Sequence, residues 1–178
     1  MISDAKTQYN YRLSFLTMVL LGLLITQLTG CGSVPEQGPA DMKQRALSFT
    51  PPPGKAYVYV IRPRHFGEDN VYVHVDLDLE KIGKLGKGFY LFAAVAPGKH
   101  GLQGSSLFSQ GLFLGIKNVI GEPFKFTAEA DKNYYFKVSL PLFNQDNVGP
   151  EVEQISETDG KAYVQSLKLG AATSFGSE

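Results

Sequence analysis

Between Val71 and Leu79 apolar and polar residues alternate without a break. Val71, Val73, Val75, Leu77 and Leu79 are set against Tyr72, His74, Asp76 and Asp78. A strand turns successive side chains to opposite faces, so a period of two predicts a half-buried strand with one core side and one wet side. Runs of similar length recur along the chain. Lys55–Arg62 sets Tyr57, Tyr59 and Ile61 against Val58 and Val60, apolar on both faces, which predicts a central strand. Lys81–Leu85 pairs back as a short strand between glycine turns, and Gly88–Val95 carries Phe89, Tyr90, Leu91 and Phe92 as another. At Ala96-Pro97-Gly98 proline fixes φ and glycine admits positive φ, so a tight turn is expected, with Lys99–Gln103 as its return strand.

The clearest expected hairpin joins Pro123–Ala130 to Asn133–Leu140 around Asp131-Lys132. Phe124, Phe126, Ala128 and Ala130 share one face of the first strand, and Tyr134, Phe136, Val138 and Leu140 one face of the second. Glu151–Ile155 supplies a further strand. Ser156 caps a short helix running to Leu167, with Asp159 three residues on and Gly160 weakening it. No run fits a βαβ unit. The expected fold is therefore all-β: an antiparallel β-sandwich with a short C-terminal helix over residues 54–168, followed by a disordered tail at 169–178. The chain has 178 residues, is 43% apolar and contains one cysteine, Cys31. No disulfide can staple the domain, so its hydrophobic core must suffice.

The N-terminus reads as a targeting segment. Lys6 and Arg12 precede an apolar run, Leu13–Ile25, shorter than the roughly twenty residues of a membrane span and suited to a helical signal peptide over residues 1–30. Leu28-Thr29-Gly30-Cys31 follows and resembles the lipobox of bacterial lipoproteins. Small residues let a peptidase close on the bond before Cys31, and the thiol is the nucleophile that takes a diacylglyceryl group. The resemblance implies a second acyl group on the new N-terminus. At roughly 0.8 kcal/mol per buried CH₂, several chains anchor firmly. Gly32, rather than Asp, after the cysteine resembles the signal for onward sorting, so the expected address is the outer membrane, facing the periplasm. Residues 31–53 hold Pro35, Pro39, Pro51, Pro52 and Pro53 and read as a flexible tether spanning roughly 25 Å r.m.s..

Pro53-Gly54-Lys55-Ala56-Tyr57-Val58-Tyr59-Val60-Ile61-Arg62-Pro63 resembles the opening of the DUF2846 family of bacterial lipoproteins. Val71–Gly83, Gly88-Phe89-Tyr90, Pro97-Gly98-Lys99-His100 and Tyr134-Tyr135 fall where that family carries its signature, so the resemblance spans about residues 53–156. The Pro-Gly-Lys-His turn is also similar to that of PEGA-type and transthyretin-like β-sandwiches. The family commonly has Asp-Gly in the second turn and Gly before the Tyr pair. This chain has Asp78-Leu79-Glu80-Lys81 and Asp131-Lys132-Asn133 instead. The family's function is unknown, so the resemblance implies no catalytic residue.

Seventeen bases balance seventeen acids, which leaves no basic footprint for nucleic acid. His74, Asp76 and Asp78 share a strand face, but strand neighbours two apart stand roughly 6.5–7 Å from each other, and the expectation is a solvated face without metal. Ser105, Ser106 and Ser109 lie in no nucleophile elbow, so no catalytic residue and no cofactor beyond the lipid on Cys31 is expected. His100 is expected to be structural, and Arg62 and Arg64 to be solvated strand-end charges. Gly101–Gly121 is long, apolar and glycine-rich for a connection. It is either an adaptable surface, with Phe108, Leu112, Phe113, Leu114 and Ile116 as candidate contacts, or a closure of the sandwich. The expected function is a non-enzymatic, membrane-anchored module that binds another envelope component; the alternative is a carrier of a small apolar ligand between the sheets.

Overall fold

A computed structural model describes residues 37–64, 71–109, 116–141 and 148–171. The expected signal peptide (1–30) and residues 172–178 of the expected tail lie outside the described residues. Among the described residues ten strands form two sheets. The first carries β1 (Ala56–Arg62), β4 (Phe89–Val95), β8 (Asn133–Ser139), β9 (Glu151–Gln154) and β10 (Lys168–Leu169), in the order β10-β4-β1-β8-β9. The second carries β2 (Val73–Leu77), β3 (Glu80–Leu85), β5 (Gly98–Ser109), β6 (Ile116–Ile120) and β7 (Phe124–Ala128), in the order β3-β2-β5-β6, with β7 also on β5. Pairing is antiparallel except for β1–β8 and β10–β4, which are parallel. The chain is a β-sandwich, as its alternation predicted.

Strand β1 lies between β4 and β8, and all seven of its residues are buried. Val58 and Val60 face the second sheet, where they pack with Val73, Val75, Leu91, Leu102 and Phe136. Tyr57, Tyr59 and Ile61 face the other way, into a second core with Tyr90, Phe92 and Tyr135. Two helices cover that second face, α1 (Ala40–Ser48) and α2 (Glu157–Ser166), and they bury Ala46 and Val164 against it. Burial pushes the phenol of Tyr90 up to about 12 and raises those of Tyr59 and Tyr135 as well, so the cluster packs as neutral rings.

Helix α1 overturns the expectation of a flexible tether for residues 37–53. Nine residues make a marginal helix alone, and Pro39 supplies no side-chain cap. Tertiary bonds hold it instead. Tyr59 Oη donates to the Ala46 carbonyl at 2.8 Å, and Asn133 Nδ2 to the Phe49 carbonyl at 2.8 Å. The Gly38 amide donates to Leu169 O at 3.0 Å, and Gln37 bridges to Gly170. The tail expectation likewise fails for residues 169–171, because Leu169 belongs to β10 and Gly170 donates to Tyr90 O at 2.8 Å.

Helix α2 starts as expected, with Ser156 Oγ accepting from the Asp159 amide at 3.1 Å. Gly160 lies inside the continuous helix and has a packing reason: a β-carbon there would stand 2.2 Å from the Tyr135 ring, so the helix approaches the sheet only because the side chain is missing.

Two expected turns are in fact crossings between sheets. β7 pairs with β5 in the second sheet, whereas β8 pairs with β1 and β9 in the first, so the two strands form an arch rather than a hairpin. Their aromatic residues meet across the core, with Phe126 and Phe136 ring centroids 4.7 Å apart and those of Phe124 and Phe136 5.5 Å apart. Ala96-Pro97 likewise carries the chain from β4 in one sheet to β5 in the other, so Lys99–Gln103 is no return strand. Alternation predicts a core side for each strand but not which sheet the strand joins.

Arg62 is 1% exposed rather than solvated. Its guanidinium donates to the carbonyls of Val71 and Leu85, joining the end of β1 to the second sheet. Arg64 is exposed, as expected.

The docking of α1 makes a paired prediction about two phenols. Tyr59→Phe removes the bond to Ala46 and should cost about 1 kcal/mol. Tyr90 Oη is buried without a hydrogen-bond partner, so Tyr90→Phe should be neutral or stabilising. Urea unfolding of both variants checks this, and equal losses would contradict the docking described.

Candidate functional site

Among the described residues the helices cover only the first sheet. The outer face of the second sheet carries His74 and Asp76 on β2, with Lys84 and Lys81 opposite them on β3 and Ser105 and Gln103 opposite them on β5. Leu107 continues β5, and Ile120 pairs with Ser105, which places Leu107 and Ile120 diagonally on one face. They are 52% and 58% exposed. Gly101 sits on the same face, and a β-carbon there would meet no atom within 4 Å, so the glycine opens a notch between Lys99, Gln103 and Lys125. Hollows of 490 Å³ and 350 Å³ meet at this glycine.

The Gly101–Gly121 segment is ordered strand for most of its described length. Residues 101–109 extend β5, and 116–120 return as β6, Ser105 pairing with Ile120 and Ser109 with Ile116. An irregular connection is thus excluded for the described part. Of the candidate contacts, Phe108 lies in β5 opposite Lys117, and Ile116 opens β6. Leu112, Phe113 and Leu114 lie outside the described residues, as do Leu28, Thr29, Gly30 and Cys31. The described residues add Leu107 and Ile120, which apolar character alone could not separate from core residues such as Leu102.

The expected His74, Asp76 and Asp78 row does not hold together. Asp78 leaves the strand and forms, with Leu79, the two-residue turn between β2 and β3. Their φ values are 54° and 68°, the positive pair of a type I′ hairpin. Aspartate tolerates this conformation; leucine bears about 1–2 kcal/mol of strain there and is 92% exposed. Leu79 therefore does not join the core side assigned to it by alternation. Asp131, in the other turn that departs from the DUF2846 pattern, also has positive φ, at 59°.

Asp78 instead braces two turns. Its Oδ2 lies 2.6 Å from His100 Nδ1, and its Oδ1 accepts from the Gly101 amide at 2.9 Å. His100 Nε2 lies 2.8 Å from the Ala96 carbonyl, in the crossing between sheets. His100 is thus structural, and its ring stands 5.5 Å from that of Phe126. An Asp–His pair exists, but both imidazole nitrogens are engaged and the Ala96 carbonyl occupies the position a serine would need. Partial burial raises the Asp78 carboxyl, but the hydrogen bonds from His100 and Gly101 and the nearby imidazole charge outweigh it and hold the group below its ordinary 3.8. Burial, followed by Lys81 and Lys84, pushes His74 below its ordinary value, with Asp76 opposing them.

Among the described residues no group of three or more His, Cys, Asp or Glu is placed to hold a metal, and no helix is long and apolar enough to cross a membrane. The space between the sheets is filled by side chains of the main core. A groove of 770 Å³ opens at one rim, where Ile120, Phe124, Val148, Pro150 and Val152 are joined by Glu122, Glu151 and Glu153. Gly121 and Gly149 make this rim possible: a β-carbon on Gly121 would fall 1.9 Å from Pro150 O, and one on Gly149 2.3 Å from the Gly121 amide nitrogen.

A family model described as a protein of unknown function, DUF2846, matches residues 52–150. No curated protein and no solved structure matches the chain.

The Asp78 brace has a pH signature. Because its folded-state value is depressed, the stability it contributes is complete above its ordinary 3.8 and is lost as the pH falls through the lowered value. The thermal midpoint should fall more steeply between pH 5 and pH 2 in the native chain than in Asp78→Asn, which should already be lowered at neutral pH; parallel curves would contradict the assignment.

Proposed function

Since the chain belongs to the DUF2846 family, which carries no assigned activity, we propose from its own features that it is a lipid-anchored envelope protein whose sandwich is a non-enzymatic binding module. The carrying observation is the unequal treatment of the two sheets. One outer face is sealed by α1 and α2, while the other leaves Leu107 and Ile120 in water near one end of its strands, with exposed Leu79 in the turn at the opposite end. Apolar side chains left exposed together on one face support a contact role. The proposed occupant is another envelope protein with a small apolar contact surface fringed by acids, to suit the lysines around the Gly101 notch. Among the described residues, core side chains pack between the sheets, where a carried ligand would have to sit.

The anchor rests on Leu28-Thr29-Gly30-Cys31 after the apolar run, and Gly32 supports onward sorting to the outer membrane.

Two outcomes test this reading. Cells fed radiolabelled palmitate should label the native chain and not Cys31→Ala, which should accumulate uncleaved; equal labelling would sink the anchor. A photo-crosslinking residue at Leu107 should yield one discrete adduct in intact cells. Ile120→Ser, in an otherwise native surface, should remove that adduct while the thermal midpoint stays put. An adduct that survives the change would sink the binding face.

A further inference from the structure

The chain is neutral overall, but basic residues cluster at one rim of the sandwich. At one rim, β10 of the first sheet lies beside β3 of the second: a β-carbon on Gly83 would stand 3.2 Å from Ala171 O, and one on Gly170 3.8 Å from Lys84 O. Four basic residues gather there. Lys84 is on β3 and Lys87 on the turn into β4. Lys168 is exposed on β10, its amide donating to Gly88 O at 3.1 Å. Arg64 lies over Gly88, its Nε 2.6 Å from where a β-carbon would be. Lys84 holds its ammonium 4.0 Å over the Tyr72 ring, which leaves the charge in place. The described acids closest along these strands are Asp76 and Glu80, in register with Lys81 and Leu77; Glu68 and Asp69 lie outside the described residues. The opposite rim is mixed: β9 ends the first sheet with Glu151 and Glu153, Glu153 being paired with Lys137, and Glu122 stands across the groove, while Lys117 lies on β6 and Lys125 on β7.

The docked chain enters at the basic rim. Gln37 bridges to Gly170, directly after β10. Six residue steps separate Gln37 from Cys31, so a fully extended chain allows at most about 20–22 Å between them. We infer that the rim formed by β3 and β10 rests against the anionic phospholipid headgroups of the membrane that holds Cys31, with Arg64, Lys84, Lys87 and Lys168 as the contacts. This rests on the lipid anchor proposed above. A long tether would let the domain tumble with any face toward the bilayer. A tether docked from Gln37 onward keeps the basic rim within reach of the headgroups, and clustered lysines beside an anionic surface are attracted to it within a screening length. The opposite rim then points away, and the bare face of the second sheet stands open at the side.

The test uses the full lipidated chain in vesicles containing phosphatidylglycerol and a headgroup-attached quencher. Lipid blocks the Cys31 thiol, so a single new cysteine takes the fluorophore, at Lys81→Cys near the basic rim or Glu151→Cys at the opposite one. The first label should be quenched more strongly than the second. The difference should vanish in phosphatidylcholine vesicles, in a K84E/K87E/K168E background, and when salt is raised from 0.1 M to 1 M, which shortens the screening length from about 10 Å to about 3 Å. The salt series needs no rim substitution, so it holds even where the triple variant folds poorly. Equal quenching of the two labels, or a difference indifferent to both salt and charge reversal, would overturn the inference and leave the anchor standing. An unmodified mass for the Cys31 peptide would remove the anchor and the inference together.

Discussion

Strand β1 has two buried faces, and the rest of the fold follows from covering them. Seven successive residues leave water between β4 and β8. Fully burying a large apolar side chain is worth about 1.5–3 kcal/mol, but only when something lies over it. The second sheet covers Val58 and Val60. The tyrosine face needs a separate cover, and the chain supplies it from both of its ends, α1 before β1 and α2 after β9. Tyr59 ties the two levels together, stacking on Tyr135 with centroids 4.9 Å apart while its hydroxyl holds the Ala46 carbonyl.

That division of labour gives the molecule its polarity. Both helices lie on the first sheet, so the second keeps a wet face, and the apolar side chains left there are not waiting for any described segment of the chain. Gly104, Gly121 and Gly149 let the Gly149-Pro150 backbone press against the inner side of β5 and β6, where β-carbons would collide. Glycines that looked like markers of an adaptable surface are therefore, at those positions, conditions of close packing. Gly101, by contrast, opens toward solvent on the bare face.

The docked N-terminal segment also changes what anchoring means. A chain free from Cys31 to Pro53 would hold the domain loosely above a bilayer. From Gln37 onward the segment is part of the fold, joined to β10 on one side and to Tyr59 on the other. Orientation, and not proximity alone, then becomes a property of the sequence. The basic rim and the exposed outer face of the second sheet adjoin at Lys84 on β3.

Much of the architecture was legible in the residues alone. Period-two alternation located the strands, the doubly apolar run of Lys55–Arg62 identified the central one, and Ser156 announced α2, because these signals are local and strong. The lipobox-like pattern Leu28-Thr29-Gly30-Cys31 rests on neighbours in sequence alone, and the anchor it suggests is a proposal. Local pattern could not say that β7 and β8 join different sheets, since an arch and a hairpin present the same alternation. Nor could it say that a polar, proline-flanked stretch becomes α1, because that helix is stabilised by tyrosines it has to meet, or that Arg62 is buried, because its carbonyl partners arrive from other strands. Leu79 continued the alternation in sequence and left it in space, once Asp78 turned the chain to reach His100. The sequence by itself determined which residues seek a core and which strands carry them. Tertiary structure alone decided which faces meet, which face stays bare and which rim lies nearest the docked N-terminal segment, since those depend on contacts between residues far apart along the chain.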